Sequence, residues 1–376
     1  MESFDTDVLI VGAGPGGSAA AIRLAEQNVK VILVDKCEFP RAKVCGDGLT
    51  PKSVVALREL GIEPLSLSSA RSFKQLTLVS PKGTSGTLTL TDVSVDGPGV
   101  VVQRRHLDNA LVELAIRRGV SFMPGMRITK PALREGRVCG AEGEREGQTV
   151  QLRARLTIAA DGAAGGFTAR LSSRRRHTAG EVAMRTYFTN VTGLSGGLHI
   201  YFDRRLLPAY GWVFPLDDGM ANIGVGLEGR ALKRTNLSAA FHEFLKSQPN
   251  LRDHLHGAEM LEPPRGFPLR SDFDWRATFT SGLLCVGDAA GLVHPFTGEG
   301  IRYALESGMM AAKHAISALS HGDVSAKSMQ LYAEELRRRY GRMHRMGNWM
   351  RSAFRWPRAA NAVLSNWCTP ESRVAE

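Results

Sequence analysis

The stretch from Asp7 to Asp35, DVLIVGAGPGGSAAAIRLAEQNVKVILVD, constrains the fold of this chain more than any other. Asp7 to Val11 is a short apolar run with the character of a buried strand. Gly12, Gly14 and Gly17 follow in G-x-G-x-x-G spacing, a helix pattern runs from Pro15 to Gln27, and a second strand, Val29 to Val34, ends on Asp35. Each part has a physical task. Gly12 permits the tight turn, Gly14 lets the backbone approach a pyrophosphate, and Gly17 lets helix and strand come close. The helix opened by Pro15 turns its N-terminus toward the phosphates. Asp35, 18 residues beyond Gly17, is placed to accept a hydrogen bond from a ribose hydroxyl, and an acid there argues against a 2′-phosphate. Strand, glycines, helix, strand and terminal acid in that order specify a site for an adenine dinucleotide and leave open which one.

At 376 residues the chain is long enough for a large core divided between two domains. Its 43% hydrophobic and 23% charged residues are those of an ordinary globular protein. The five cysteines (Cys37, Cys45, Cys139, Cys285, Cys368) form no C-x-x-C pair, which argues against a disulfide framework, a zinc site or an iron–sulfur cluster. No charged and apolar leader precedes the first strand, and no apolar run approaches the ~20 residues that span a bilayer, so the expectation is a cytoplasmic protein. The net charge of +11 is concentrated late in the chain: eight arginines and no acid lie between Arg337 and Arg358. Met343, Met346, Met350 and Phe354 fall there on one helical face, beside Trp349 and Trp356. Two readings follow, a peripheral helix at an anionic membrane surface or a helix docked on the protein with a solvated basic side. No nucleic-acid motif accompanies the charge.

Along the chain, Pro40 to Pro51 is a Gly- and Pro-rich loop too long for a passive connection. Leu57, Leu60 and Ile62 predict a short helix ending at Gly61, and strands at Gln75 to Val79, Thr87 to Leu90 and Val100 to Val102 open an antiparallel sheet. A helix is expected over His106 to Arg118, then strands at Val120 to Met123, Val138 to Glu142 and Leu152 to Ala160, the last delivering Asp161 and Gly162 to a sheet edge. Arg174 to Arg176 reads as a solvated turn. Strands at Thr186 to Phe188, Leu198 to Phe202 and Gly211 to Phe214 form a second sheet, followed by a helix over Leu237 to Leu245. A buried strand, Leu283 to Val286, leads into GDAAGLVHPFTGEGI and a long helix, Ile301 to Leu319. Gly224, Gly226 and Gly229 repeat the G-x-G-x-x-G spacing. The segment keeps strand alternation, however, and no strand with a terminal acid follows, so it is read as a strand.

The ordered set of G-x-G-x-x-G at Gly12, R-x-x-L-D-x-x-L at Arg104, Asp161–Gly162 and Gly287–Asp288 resembles the FAD-dependent family typified by aromatic hydroxylases. The resemblance makes the dinucleotide FAD, held through Gly12, Gly14, Pro15, Gly17, Asp35 and Lys36. It implies that Arg104 lies near the phosphates and ribityl chain, that Asp161 and Gly162 face the cofactor, and that Asp288 bonds the ribityl chain. Two segments narrow it. KVCGDG at Lys43 to Gly48 resembles the loop that marks geranylgeranyl reductases, and YGWVFP at Tyr210 to Pro215 resembles the Y-x-W-x-F-P pattern lining their isoprenoid pocket. Pro295, Gly298, Glu299 and Gly300 then form a turn over the flavin, with Ile301 starting the helix behind it. The resemblance runs from about Asp5 to His321; the last fifty or so residues match no part of it.

The implied fold is α/β, a Rossmann-like FAD-binding domain (1–72, 100–180 and 275–320) interleaved with an antiparallel-sheet substrate domain (73–99 and 181–274), then a helical basic and aromatic region (321–376). The implied reaction is reduction of double bonds in a geranylgeranyl or other polyprenyl chain, carried by a diphosphate, a lipid or a quinone, with hydride from reduced flavin and a proton from elsewhere. Candidate catalytic residues are Cys45, Gly46, Asp47 and His294. Cys45 is either a proton donor or a packed loop residue, and a place beside helix N-termini is one that can lower a thiol's pKa without the sequence showing it; His294 either protonates or positions substrate or builds the turn. Tyr210, Trp212 and Phe214 alternate along a strand and share a face, and with Pro215 and Pro295 they are candidates for the substrate wall. Lys36 to Arg41 and Arg302 are either anion ligands or solvated. The alternative function is a flavin monooxygenase or halogenase, against which KVCGDG and YGWVFP count. The electron donor is either NAD(P)H or a reduced electron-carrier protein.

Overall fold

The computed structural model describes residues 2–90, 96–167, 180–194, 196–217, 219–232 and 235–367. The Arg174–Arg176 run lies outside these residues. The first sheet is built on the opening motif. Its strands lie in the order Phe279–Thr280, Leu283–Cys285, Gln148–Ala159, Glu2–Val11, Val31–Val34, Ser121–Met123, and the last five run parallel. Parallel strands covered on both faces read as continuous apolar runs, and all four residues of Val31–Val34 are buried. Helix Pro15–Ala25 touches both Ile301–Ser320 and Arg104–Arg117. The first of these contacts needs glycine, since a Cβ on Gly308 would stand 2.2 Å from the Gly16 carbonyl oxygen. An antiparallel arm, Arg127–Arg134 and Arg137–Arg145, extends Gln148–Ala159. The first arm strand gave no sequence signal because Pro131 and polar residues interrupt its alternation.

The chain leaves this layer for a second, mostly antiparallel sheet. Its order is Glu259–Met260, Glu181–Thr189, Ala221–Glu228, Gly211–Pro215, Leu198–Tyr201, Gln75–Val79, Ser85–Thr89, with Arg265–Leu269 also pairing to Glu181–Thr189. A three-stranded sheet of Gly48–Leu49, Gly99–Val101 and Arg71–Phe73 stands beside it. Gly224 and Gly226 lie inside strand Ala221–Glu228, where Gly224 is required because the Trp212 ring covers it; a Cβ would meet Trp212 Cζ2 at 2.2 Å.

The C-terminal region is one long helix, Ala326–Phe354, followed by Pro357–Trp367. Ser325 caps the first by accepting from the Ser328 N–H. Tyr332 and Tyr340 are fully buried, and Tyr332 Oη donates to the Cys285 carbonyl at 2.7 Å. Of the two readings of this helix, its apolar face follows the docked one and turns inward. Met343 touches the main core, Met350 lines a cavity and Phe354 is buried, leaving Met346 alone of the four exposed. The reason is local: the third-motif turn needs covering, and Gly347 lets the helix press onto it so closely that a Cβ would lie 2.9 Å from Pro295 Cγ.

Candidate active site

Helices Pro15–Ala25 and Ile301–Ser320 begin at Gly14 and Gly300 with no side-chain cap, and both ends line the same cavity of about 1140 Å³. Uncapped first-turn N–H groups and the helix dipole favour an anion there. Gly12, at φ +106°, has no room for a Cβ, which would lie 2.3 Å from the Ala160 oxygen, and Gly17 has none against the Gly12 oxygen. Asp35 Oδ2 accepts from the Ala13 N–H at 2.9 Å and Oδ1 from the Cys37 N–H at 3.0 Å, so the acid is braced by the turn it serves.

Around this cradle the other predicted cofactor residues converge. Lys36, Arg104, Asp161, Gly162, Gly287, Asp288, Gly298, Gly300 and Ile301 all line the cavity. Asp161 Oδ2 accepts from the Phe167 N–H at 3.0 Å while its buried Oδ1 has no protein partner, and burial pushes its carboxyl up to about 6. That orphaned oxygen, the uncapped helix ends and the Cβ-free turn fit a ribose- and pyrophosphate-bearing group such as FAD. Arg104 is held by both oxygens of Asp108, at 2.7 and 2.8 Å, and Asp108 also pairs with Arg41 at 3.2 Å. Arg302 pairs with Glu306 at 2.9 Å. Neither Arg41 nor Arg302 is merely solvated.

The KVCGDG loop lies across one face of the second sheet. A Cβ on Gly46 would stand 3.0 Å from Phe214 Cε2, so the loop rests directly on the aromatic strand. Asp47 is fully buried at φ +67° and accepts from Tyr187 Oη (2.5 Å), Asn222 Nδ2 (2.8 Å) and the Arg104 N–H (3.3 Å). Those bonds give Asp47 the work of holding the loop. The Cys45 thiol is pushed up by burial, partly opposed by the nearby Arg104. Lys43 sits over the Phe267 ring and is lowered to about 7, first by burial and then by Arg104.

His294 Nδ1 accepts the backbone N–H groups of Phe296 (3.2 Å) and Thr297 (3.0 Å), and burial with Arg302 nearby lowers its pKa to about 4. Its Nδ1 is thereby committed to the turn as an acceptor. Tyr210, Trp212 and Phe214 line the cavity in a row, with adjacent centroids 6.4 and 6.3 Å apart, while Pro295 lines the opposite turn. Pro215, at the end of that strand, is buried outside the cavity lining.

Strand register grades this sheet face. Leu78, Ile200, Trp212, Gly224 and Arg185 are cross-strand neighbours in one row, aliphatic at one end and cationic at the other. At the aliphatic end Leu76, Leu88, Phe202 and Phe296 join Phe354 and Leu364 of the C-terminal helices. Sequence reasoning missed this roof, and it missed Tyr187, Asn222 and Arg185. The signal for Asn222 was an amide inside an otherwise apolar, alternating strand.

Residues 5–203 match the FAD binding domain family, and residues 180–261 match the geranylgeranyl reductase catalytic domain. A digeranylgeranylglycerophospholipid reductase of Methanococcoides burtonii is 31% identical over 344 residues, covering 89% of this chain and 80% of the relative. A menaquinone reductase of Mycolicibacterium smegmatis is 33% identical over 315 residues, 82% of this chain and 75% of the relative. Among solved structures, a geranylgeranyl bacteriochlorophyll reductase-like protein of Thermoplasma acidophilum superposes with a TM-score of 0.86 at 26% identity, over 98% of this chain and 92% of that one. A myxobacterial chondrochloren halogenase (TM-score 0.81, 20% identity, 96% and 86% covered) shares the fold. With its cradle, its loop and its aromatic strand in one cavity, the chain belongs to the geranylgeranyl reductase family of FAD-dependent oxidoreductases.

Proposed function

We propose that this protein saturates carbon–carbon double bonds of a polyprenyl chain carried on a lipid, a diphosphate or a quinone. The observation that carries the reading is the graded face: one cavity runs from the dinucleotide cradle past Cys45 and Trp212 into an apolar chamber lined by Leu78, Leu88, Phe202, Phe354 and Leu364. A long isoprenoid gains affinity from such a chamber roughly in proportion to the area it buries. FAD, once bound and reduced, supplies the hydride. The chain's own part is to hold one double bond in register and to deliver a proton. Cys45 is the proposed donor, because its loop lines the cavity beside Trp212 and burial keeps its thiol protonated at neutral pH. Trp212 is 6% exposed and fixes the alkene plane from the sheet side.

The proposed partner surface is an anionic membrane. No described helix is long and apolar enough to cross a bilayer. The exposed side of the C-terminal helices nevertheless carries Trp349 (71% exposed), Trp356 (72%) and Met346 (56%) together with the exposed Arg338, Arg342 and Arg345. Interfacial aromatics next to arginines suit a headgroup layer, and the same helices roof the chamber. The deciding experiment challenges chemically reduced, FAD-loaded protein with prenyl diphosphates, prenylated lipids and menaquinones and follows products by mass spectrometry. Gain of two hydrogens per bond supports the reading; an oxygenated or halogenated product instead would establish the monooxygenase or halogenase alternative.

A further inference from the structure

Three strands of the second sheet grip the KVCGDG loop through a single row of side chains. Phe214, Asn222 and Tyr187 are direct cross-strand neighbours, so all three point to the loop side. Asn222 is fully buried and sits at the centre. Its Nδ2 donates to the Cys45 carbonyl at 2.7 Å and to Asp47 Oδ2 at 2.8 Å, while its Oδ1 accepts from Trp212 Nε1 at 3.0 Å. One amide therefore has both its hydrogens on the loop and its oxygen on the aromatic wall. Tyr187 adds a bond to Asp47, and Arg185, whose guanidinium lies over the Tyr187 ring, donates to the Lys43 carbonyl at 3.3 Å.

From this geometry we infer that Asn222 is the positioning residue that sets the distance between the Cys45 thiol and the substrate face of Trp212. The inference rests on the reading of Cys45 and Trp212 given above and adds a residue to it. A carboxylate at 222 would face the buried Asp47 and repel it; an aliphatic residue would leave the Cys45 carbonyl and Trp212 Nε1 without partners. Either change frees the loop from the wall while leaving the distant Gly12–Asp35 cradle intact. Loss of alignment by a fraction of an ångström at a proton-transfer site lowers turnover far more than it weakens binding.

The test uses full-length, FAD-loaded protein. Asn222→Leu removes all three bonds. The exchange pair Asn222→Asp with Asp47→Asn restores one amide facing one carboxylate and keeps an acceptor for Trp212, while it withdraws the donor to the Cys45 carbonyl and the oxygen that accepts from Tyr187 Oη. Three quantities are read: flavin content by absorbance, the rate at which a neutral maleimide labels Cys45, located by peptide mass spectrometry, and kcat against KM with a prenyl substrate. Both variants are expected to retain flavin, to label Cys45 about tenfold faster, and to lose kcat, by about 100-fold in Asn222→Leu, with KM changed much less. Wild-type labelling and kcat in either flavin-loaded variant would overturn the proposal. Should Asn222→Leu fail to hold flavin, the exchange pair decides. A wild-type protein inert toward every prenyl substrate would overturn the functional reading instead, and the labelling rates would still judge Asn222.

Discussion

The ring of Phe354 stands edge-on to that of Phe296, their centroids 4.7 Å apart at 71°. This contact joins the end of the long C-terminal helix to the turn that follows the third cofactor motif. Phe202 lies against both rings, at 5.3 Å from Phe354 and 6.2 Å from Phe296. The roof of the chamber thus belongs to a part of the chain that carries no cofactor motif. Replacing Phe354 with Ala removes the central ring of this cluster. The expected outcome is a rise in KM for long prenyl substrates with flavin content unchanged, together with a stability loss of about 3 kcal/mol as for other buried Phe→Ala changes. Steady-state kinetics across chain lengths and a thermal melt of the same sample check it; an unchanged KM would detach Phe354 from substrate.

The contrast between cradle and roof shows what the sequence could carry. Gly12, Gly17 and Asp35 were legible because each meets a demand fixed by backbone geometry, and such a demand leaves a residue type at a spacing. Phe354, on the same face as Met343 and Met350, does work that any large apolar side chain does, at a place set by how a 29-residue helix lies on the rest. Periodicity revealed their shared face but not which way it turns. Asn222 lies between these cases: an amide inside an apolar alternating strand stands out in the sequence, but only the fold sets it across from Phe214 and brings the Cys45 loop above it. The direction of the Cys45 shift was not legible at all, because burial, invisible in sequence, raises the thiol's pKa.

Cys45→Ala is expected to retain flavin and lose about 100-fold in turnover, the usual contribution of a positioned acid. Because burial raises the thiol's pKa, the wild-type rate should show no decline through mildly alkaline pH from loss of this proton. Single-turnover reoxidation of the reduced flavin by substrate measures both. A wild-type rate in the alanine variant would return Cys45 to the role of a loop residue.

His294 should behave as architecture. Asn offers an oxygen where Nδ1 now accepts the Phe296 and Thr297 N–H groups, so His294→Asn should keep most flavin binding and turnover, while His294→Ala, which leaves two N–H groups unpartnered, loses both by about tenfold. If Asn and Ala variants are equally inactive with flavin bound, the imidazole takes part in the chemistry.

Asp161 gives a pH dependence with a definite sign. Its folded-state pKa, about 6, lies above the ordinary aspartate value, so the folded apoprotein prefers the protonated form. The contribution favours the fold fully below about pH 4 and is lost as pH rises through 6. Asp161→Asn keeps the acceptor for the Phe167 N–H without the buried charge. The variant apoprotein should therefore be more stable than wild type by about 3 kcal/mol at pH 7.5, and most of the gap should close by pH 4. Flavin-free melts of both proteins across this range test it, and a constant gap would exclude the ionisation as its cause.

The membrane surface is best tested on side chains that the fold does not use. Removing the C-terminal helix would strip Tyr340, Phe354 and Leu364 from the interior, so a truncated chain would confuse loss of binding with loss of the chamber. Arg351 and Arg355 are unsuitable for the same reason: Arg351 pairs with Glu181, and Arg355 pairs with Glu228 at 2.5 Å, tying the helix end to the second sheet. Arg338, Arg342 and Arg345 are exposed. Changing all three to Gln should weaken binding to vesicles containing phosphatidylglycerol by about 3 kcal/mol, at about 1 kcal/mol per cation, and should flatten its dependence on salt. Trp349→Ala with Trp356→Ala should weaken binding to anionic and neutral vesicles alike, since insertion of the indoles does not depend on lipid charge. Activity on a short, water-soluble prenyl diphosphate should stay at the wild-type level in both variants. Vesicle sedimentation unchanged in the arginine and tryptophan variants would leave the basic face solvated and require the substrate to reach the chamber by another route.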